Sequence, residues 1–279
     1  MKISTSLNIY TDTGETYKDV LNKLYECGFK CGDLHFGNSH GDTPFNFSDW
    51  RGEIQKVKDY ADSLGFEFTQ AHAFCFSGDE PDDADFQIKK TIEAAAIAKV
   101  PWIVIHPFQK KGAGEKEILE YNIKRLGEYA SYAQRFNIGI AVENMPKYLY
   151  WYCEKIEQQV SCADELIYIV DALKENYEKV GVCWDTGHAN LSMKGQYEDI
   201  IKLKDRLKLL HIADNDCQGD DHSAPFTGYV NWNEVTKALK DVNYCGTFNF
   251  EVNNRFPKGL EKDGWRMLYK IGEYLVSQI

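Results

Sequence analysis

Hydrophobic residues follow two spacings that alternate along the chain, one typical of strands and one typical of helices. Short apolar runs such as Ile3–Ile9 and Lys30–Phe36 are typical of strands, whereas apolar positions in Thr16–Cys27 recur at the spacing of one helix face. Gly28 follows that helix as a predicted C-cap, and Ser48 precedes the next helix as a predicted N-cap. The pattern predicts a strand followed by a helix as the repeating unit.

The same unit recurs to the end of the sequence. The predicted strands are Ile3–Ile9, Lys30–Phe36, Phe66–His72, Trp102–His106, Ile138–Glu143, Val180–Asp185, Leu207–His211 and Gly246–Glu251. The predicted helices are Thr16–Cys27, Ser48–Leu64, Phe86–Lys99, Glu115–Phe136, Ala163–Leu173, Tyr197–Lys204, Asn231–Asp241 and Gly259–Ser277. This alternation, without a linker, predicts an α/β fold: one (β/α)8 TIM barrel domain over residues 1–279. An open doubly wound sheet is the alternative, but no glycine-rich phosphate turn follows the first strand.

The strand faces support closure into a barrel. Side chains alternate along a strand, so if Glu143 points inward, Ala141 does too, while Val142 faces the helices. The sixth and eighth predicted strands repeat this arrangement, with Asp185 and Glu251 pointing inward. Small or polar residues inside and bulky apolar residues outside are typical of a barrel with a polar mouth.

Composition and charge narrow the function classes. The chain has 279 residues, of which 43% are hydrophobic, enough for a sizeable core. A formal net charge of -11 disfavours a nucleic-acid partner. The eight cysteines form no CxxC pair, and the sequence shows neither a secretory leader nor an apolar run long enough for a membrane span. We therefore expect a reduced, cytoplasmic chain that does not contact a membrane.

Chemically active residues end most of the predicted strands. In a parallel barrel all these ends lie on one rim, where barrel enzymes have their active sites. The residues at or just beyond these ends are His72, His106, Glu143, Asp185, His188, His211 and Glu251, and the loop after the seventh strand adds Asp220 and His222. Five of the seven histidines thus converge, while His35 is expected to be structural or a pocket wall and His40 to be solvated.

Such a cluster predicts a metal site. Carboxylates crowded in a partly desolvated mouth repel one another, and a divalent cation removes that cost. The oxygen-rich set of Glu143, Asp185, His211 and Glu251 suits Mn²⁺, Mg²⁺, Co²⁺ or Fe²⁺, and the additional histidines favour Zn²⁺ or a second ion. Taken singly, each residue has a plainer explanation, such as a salt bridge for Glu143 or a capped turn at Asp185. The coincidence across successive strands is the specific signal.

Six motifs carry a family resemblance. They are HPF at His106, VEN at Glu143, WDTGHANL at Asp185, HIADND at His211, the following DDHSAPFTGYVNW, and FEV at Glu251. In these motifs the chain resembles the xylose isomerase-like TIM-barrel family, which includes sugar-phosphate isomerases and epimerases. The resemblance implies that Glu143, Asp185, His211 and Glu251 are metal ligands and that His188 contacts substrate or metal.

The resemblance leaves two branches of the family open. The three-zinc apurinic endonucleases use nine ligands, and this chain has nine candidates: His72, His106, Glu143, Asp185, His188, His211, Asp220, His222 and Glu251. The acidic charge counts against DNA repair, and the combination of DTGH with PFTGYVNW resembles the sugar branch. The sugar branch often has an acid at the end of strand two, where Asp33 or His35 stands here.

The leading hypothesis is a metal-dependent isomerase or epimerase of a small sugar, sugar phosphate, polyol or keto acid. Glu143 and Glu251 would transfer the proton next to a carbonyl, and His188 would hydrogen-bond the carbonyl oxygen. The alternatives are a multinuclear-zinc phosphoesterase and a sugar-sensing or inactive scaffold. A homo-oligomer is left open.

Two further segments are candidates for specificity. Tyr148, Tyr150, Trp151 and Tyr152 form an aromatic loop that is either a lid over a sugar ring or a hydrophobic plug or dimer contact. Arg255 and Lys258 either hold a phosphate or carboxylate or are solvated surface charges.

Overall fold

The computed structural model describes residues 1–7, 15–36, 47–76, 81–110, 112–151, 154–192, 195–253 and 256–279. The strands are β1 (Ile3–Leu7), β2 (Cys31–His35), β3 (Glu67–His72), β4 (Trp102–Ile105), β5 (Gly139–Glu143), β6 (Tyr148–Trp151), β7 (Glu154–Glu157), β8 (Val180–Asp185), β9 (Leu207–His211) and β10 (Phe248–Phe250). The helices are α1 (Tyr17–Glu26), α2 (Trp50–Leu64), α3 (Ala84–Ile97), α4 (Glu115–Gln134), α5 (Ala163–Lys174), α6 (Thr186–Leu191), α7 (Tyr197–Leu203), α8 (Trp232–Asp241) and α9 (Glu261–Val276).

Eight of these strands form one parallel sheet in the order β10-β1-β2-β3-β4-β5-β8-β9. The two ends of this order meet just beyond β9, where the Ile212 backbone N–H donates to Asn249 O at 2.8 Å. The Glu251 N–H donates back to Ile212 O at 3.0 Å. These bonds bring the last strand back beside the first, so the predicted (β/α)8 barrel is confirmed and the open sheet is excluded.

Local sequence explains most helix starts, with one correction. Thr16 and Asp19 form a capping box at α1, as the predicted start required. The cap of α2 is Asp49, not Ser48, because the Asp49 carboxylate accepts a hydrogen bond from Gly52 N at 3.1 Å. At the other end of α1, Cys27 is the C-cap and Gly28 follows it with φ of 114°.

Two predicted loops have regular structure. The aromatic loop is an antiparallel hairpin in which Tyr148 of β6 pairs with Glu157 of β7, consistent with the high strand propensity of aromatic residues. The turn after Asp185 is the short helix α6, because the Asp185 side chain accepts from His188 N at 2.6 Å and caps it. This helix places His188 directly beside the end of β8.

The barrel interior has an apolar half and a polar half. Val104, Ala141, Cys183 and Leu209, from β4, β5, β8 and β9, form a small apolar cluster inside the barrel. The bulky alternate residues, such as Val142 and Trp184, join the larger core under the helices, as predicted. On the side of β10, β1, β2 and β3 the interior residues are polar, namely Ser4, Ser6, Asp33, Gln70 and Asn249. The candidate site rests on this polar floor.

Two expectations drawn from composition concern membrane-spanning helices and the state of the cysteines. Within the residues the structure describes, no helix has the length and apolarity needed to cross a bilayer. The cysteines in the same residues carry free thiols. The cytoplasmic location stays a prediction.

Candidate metal centre

Four strand ends deliver one compact set of donors, called here the inner group: Glu143, Asp185, His211 and Glu251. One donor atom from each side chain lies within 4.8 Å of the others. His211 Nδ1 is 2.7 Å from Glu143 Oε1 and 3.0 Å from Glu251 Oε2. Glu143, Asp185 and His211 are fully buried, and Glu251 is the most exposed of the four. The structure therefore brings together the four residues that the sequence named as metal ligands.

Two further imidazoles converge on the other oxygen of Glu143. His72 Nε2 and His106 Nε2 lie 3.0 Å apart. They are 3.4 Å and 3.1 Å from Glu143 Oε2, respectively. We call His72, His106 and Glu143 the paired-histidine group, and it shares Glu143 with the inner group.

The remaining candidates form an outer group of His188, Asp220 and His222. Asp220 Oδ2 is 3.2 Å from the Nε2 atoms of both His188 and His222. The donors of this group also lie within 4.8 Å of one another. The nine candidate residues therefore fall into three adjacent groups on one rim of the barrel.

The orientation of three imidazoles is fixed by backbone carbonyls. His72 Nδ1 lies 2.8 Å from Ala73 O, His188 Nδ1 lies 2.8 Å from Asn144 O, and His222 Nδ1 lies 3.0 Å from Glu251 O. A carbonyl oxygen only accepts, so each Nδ1 must carry the proton and each Nε2 is left to face the acids. Metal-ligating histidines use this arrangement, in which the second ring nitrogen donates to a carbonyl or carboxylate.

Burial and mutual charge shift the ionisation of these groups strongly. Burial raises the pKa of the Glu143 carboxyl, but His211 and the other imidazoles around it lower that pKa well below its usual range. Burial, with the nearby charge of Glu143, raises the pKa of Asp185 to about 6. Burial lowers the pKa of His222, but Asp220 raises it, to about 10 overall. Without a cation, the acids and imidazoles hold one another as ion pairs.

Buried oxygens without partners give a test of whether a cation fits. Among the described residues, Asp185 Oδ2 and Asp220 Oδ1 are buried and accept no hydrogen bond, and Glu143 Oε2 has only its ion-pair contacts with His72 and His106. A buried carboxylate oxygen without a partner costs free energy, and a cation would provide that partner. Carboxylate oxygens and imidazole nitrogens are also the ligands that Mn²⁺, Co²⁺ and Zn²⁺ accept. The residues present thus fit a divalent metal ion.

Asn144 is a site residue that sequence reasoning missed. Its side-chain oxygen accepts from Asp185 N at 2.7 Å, and its side-chain nitrogen donates to Asp185 O at 2.9 Å. Its backbone carbonyl holds His188. Asn144 therefore connects the inner group to the outer group. The asparagine of the VEN motif, directly after Glu143, was the available signal.

Asp214 is the second missed residue. Its buried carboxylate accepts four N–H bonds, all at 2.9–3.1 Å, from the backbone of Asn215, Phe226 and Val230 and from the Trp232 indole. These bonds fold the 215–231 connection, which carries Asp220 and His222, against the barrel. A side chain at Gly228 would clash with Asn215 O and Asp214 Oδ1, so the connection needs glycine there. The acid of the HIADND motif was the signal.

Asp33 and His35 occupy two different layers. The ring of His35 stacks on His72 at 4.6 Å, and its Nε2 lies 3.8 Å from Glu251 Oε1, so His35 forms a wall of the site. Asp33 pairs with Gln70 one layer below, where it is fully buried. Of the two residues that the sequence left open for the end of strand two, His35 stands at the rim, because the register of β2 places Asp33 one layer below.

Tyr148 lies apart from these groups, and several other specificity candidates fall outside the described residues. Tyr148 lines a cavity of about 520 Å³ beside α5 and α6, and none of the nine candidate ligands lines that cavity. Lys258 is exposed. His40, Tyr152 and Arg255 lie outside the described residues. The lid and the anion-binding role stay predictions.

Comparisons with known proteins place this geometry in a family. Protein y4fM of Sinorhizobium fredii, which is uncharacterized, is 29% identical over 172 residues, covering 59% of this chain and 51% of the relative. The probable endonuclease 4 of Mycoplasma mycoides subsp. mycoides is 27% identical over 172 residues, covering 57% of this chain and 56% of the relative. The chain thus spans about half the length of these two relatives.

A solved structure agrees with the fold. The D-psicose 3-epimerase of Clostridium cellulolyticum H10 aligns with a TM-score of 0.77 and 18% identity, covering 99% of each chain. The family model described as xylose isomerase-like TIM barrel matches residues 21–271. On that match, this chain belongs to the xylose isomerase-like TIM barrel family.

Proposed function

We propose that this protein is a divalent-metal-dependent isomerase or epimerase of a small sugar or related polyol. The observation that carries the proposal is the inner group, in which two glutamates, an aspartate and a histidine converge within 4.8 Å. Likeness to sugar 3-epimerases in overall fold supports the same class. Glu143, Asp185, His211 and Glu251 would hold the ion.

The two glutamates are suited to proton transfer. Glu143 ends β5 and Glu251 follows β10, so they approach the group from different strands of the barrel. A carboxylate of one would remove the proton from the carbon beside the substrate carbonyl, and the carboxylic acid of the other would return a proton to that carbon. Return to the opposite face inverts the centre, and exchange with water restores both groups.

The cation and His188 would act on the oxygen of the same substrate. When bound, a divalent ion supplies Lewis-acid polarisation of the carbonyl. His188 directs its Nε2 at Asp220 Oδ2, 3.2 Å away in the outer group, because its Nδ1 is held by Asn144 O at 2.8 Å. It would hydrogen-bond the substrate oxygen and orient it against the two glutamates. Positioned acid–base groups contribute about 10²–10⁴-fold to such reactions.

The outer and paired-histidine groups favour a second candidate, a multinuclear phosphoesterase. All nine donors are assembled, and the Nε2 atoms of His72, His188 and His222 are already directed at acids. Several ions held close together can stabilise both the attacking and the leaving oxygen of a phosphate ester. The sequence likeness to a probable endonuclease 4 supports this candidate over half of the chain.

Metal counting and substrate panels distinguish the two candidates. Purified protein would be analysed for bound metals, stripped with EDTA, and reloaded with Mn²⁺, Co²⁺ or Zn²⁺. Each form would be assayed on a ketose panel by deuterium incorporation from D₂O, and on bis(p-nitrophenyl) phosphate and an abasic-site duplex. Sugar turnover that needs about one ion per chain supports the epimerase. Phosphodiester cleavage with about three ions supports the phosphoesterase, and full sugar turnover by the stripped protein would overturn the metal role.

A further inference from the structure

His211 is oriented differently from the other imidazoles of the centre. His72, His188 and His222 present Nε2 to the acids and donate Nδ1–H to a backbone carbonyl. His211 presents Nδ1 instead, which lies 2.7 Å from Glu143 Oε1. Its Nε2 points into the barrel, toward the polar floor rather than the rim. Among the described residues no backbone carbonyl accepts from this second nitrogen, so its orientation depends on another kind of group.

The nearest charged partner is Asp33, whose Oδ2 lies 3.4 Å from His211 Nε2. Both side chains are fully buried. A neutral imidazole has a single N–H, and the nitrogen that binds a metal must be bare. If Nδ1 is the ligand atom, the proton is on Nε2. That nitrogen makes no formed hydrogen bond in the structure, and Asp33 Oδ2 at 3.4 Å is the carboxylate oxygen that would accept from it once the contact closes to hydrogen-bond geometry.

Asp33 is itself held in place by three neighbouring strands. Its Oδ2 accepts from Ser6 Oγ at 3.2 Å, Gln70 Nε2 at 3.3 Å and Asn249 Nδ2 at 3.2 Å. Asn249 is fixed in turn by Ser4, whose hydroxyl donates to its side-chain oxygen at 2.5 Å. The polar half of the barrel interior thus forms a hydrogen-bonded cradle for one carboxylate beneath the inner group.

From this arrangement we propose that Asp33 is the positioning residue of the metal centre. It fixes His211 as the tautomer that carries its proton on Nε2, with Nδ1 free for the cation. A carboxylate partner also makes an imidazole a stronger ligand than a carbonyl partner does. The inference rests on the proposed function, because it requires an ion in the inner group.

The first experiment needs no substitution at Asp33. Zinc-loaded wild-type protein labelled with ¹⁵N-histidine would be examined by long-range ¹H–¹⁵N correlation, with the His211 ring assigned by its loss in His211→Gln. The expected result is a ring protonated at Nε2 with a metal-shifted Nδ1. A proton on Nδ1 and a metal-shifted Nε2 would overturn the proposal.

The second experiment measures Co²⁺ affinity by chelator competition, with circular dichroism as the check on folding. Asp33→Asn keeps the shape of the side chain and should weaken binding about 10- to 100-fold, as loss of an outer-shell carboxylate does. Ser6→Ala is the matched control, since it also removes a hydrogen bond of Asp33, while the Ser6 hydroxyl bonds to none of the nine candidate ligands within the described residues. Its affinity should change far less.

The possible outcomes distinguish this inference from the proposed function on which it rests. Equal affinities for Asp33→Asn, Ser6→Ala and wild type would overturn the role of Asp33 and leave the epimerase proposal standing. A wild-type protein that binds no Co²⁺ would overturn both. Weak binding in Asp33→Asn together with Nε2 protonation of His211 in the wild type supports the proposal.

Discussion

The inner and outer groups hold similar side chains by different means. Three residues of the inner group end barrel strands and Glu251 directly follows β10, so the ladder hydrogen bonds of the sheet fix their positions. In the outer group only His188 lies in a helix. Asp220 and His222 lie in the connection from β9 to α8, and His222 has a positive φ of 46°. The strands of the barrel position the inner group, whereas side-chain hydrogen bonds position most of the outer group.

The difference teaches that the two groups should be separable. A strand end cannot move without breaking parallel pairing, whereas the 215–231 connection depends on Asp214. Glu143 serves the inner group and Asn144 connects both groups. Substitutions at these positions should therefore disturb the groups in different combinations.

The largest effect is expected from Glu143→Gln. The glutamine loses the charge that faces His72, His106 and His211, so the inner and paired-histidine groups should both lose their ion. Turnover should fall at least about 10²–10⁴-fold because the same carboxylate transfers the proton. Metal content and deuterium incorporation measure this. Glu157→Gln, an exposed glutamate of β7, is the control, and near wild-type turnover by Glu143→Gln would contradict the proposed chemistry.

Asn144→Ala should disturb both groups at once. It leaves the buried N–H of Asp185 without its acceptor, which costs about 1–3 kcal/mol of unfolding free energy. The backbone carbonyl of residue 144 holds the His188 ring, and we expect this backbone to shift in the variant. Co²⁺ affinity and the His188 ring signals in a ¹⁵N-histidine spectrum should therefore change together. Asn176→Ala, an exposed asparagine just after α5, is the control. A change confined to one group would show that Asn144 does not connect them.

The inner residues were predictable from sequence because their direction follows from strand alternation. Once Glu143, Asp185 and Glu251 are placed at strand ends, the period of two directs them inward. The role of Asp33 was not predictable, because it depends on the β2–β3 register, in which a shift between Gly32 and Asp33 sets the pairing. One residue of slip moves a side chain to the other face of a strand.

The sequence predicted which residues form the outer group but not how these residues are arranged. Asp220 and His222 were named from their motif, yet their positions depend on contacts between residues far apart in the chain. Asp214 accepts from Phe226, Val230 and Trp232, and no local propensity shows which distant N–H groups will meet one carboxylate. Helix α6 was missed for a related reason, since its cap is also the candidate ligand Asp185.

Asp214→Asn should separate the two groups. Its amide nitrogen cannot accept, so two of the N–H donors lose their acceptor and unfolding free energy falls by about 1–3 kcal/mol. In the ¹⁵N-histidine spectrum of the metal-free protein, the His222 ring signals should move and those of His211 should not. Asp216→Asn is the matched control, since the carboxylate of this exposed aspartate in the same connection accepts a single hydrogen bond within the described part of the chain, from Gln218 N. Equal movement of both rings would contradict the separation.

The smallest effect is expected from Trp232→Phe, which removes one hydrogen bond from Asp214 and leaves the other three. The lost bond joins Trp232 Nε1 to Asp214 Oδ2 at 3.1 Å and should itself cost about 0.5–1.5 kcal/mol in urea unfolding, to which the smaller volume of phenylalanine adds a packing loss in either tryptophan variant. Trp184→Phe removes a bond of the same length, to Gln196 Oε1, and should cost a similar amount. Only Trp232→Phe should shift the His222 ring signals, because only that tryptophan holds the carboxylate that folds residues 215–231. If the two variants shift His222 equally, Asp214 transmits nothing specific to the outer group, and the group must be held by its own ion pairs between His188, Asp220 and His222.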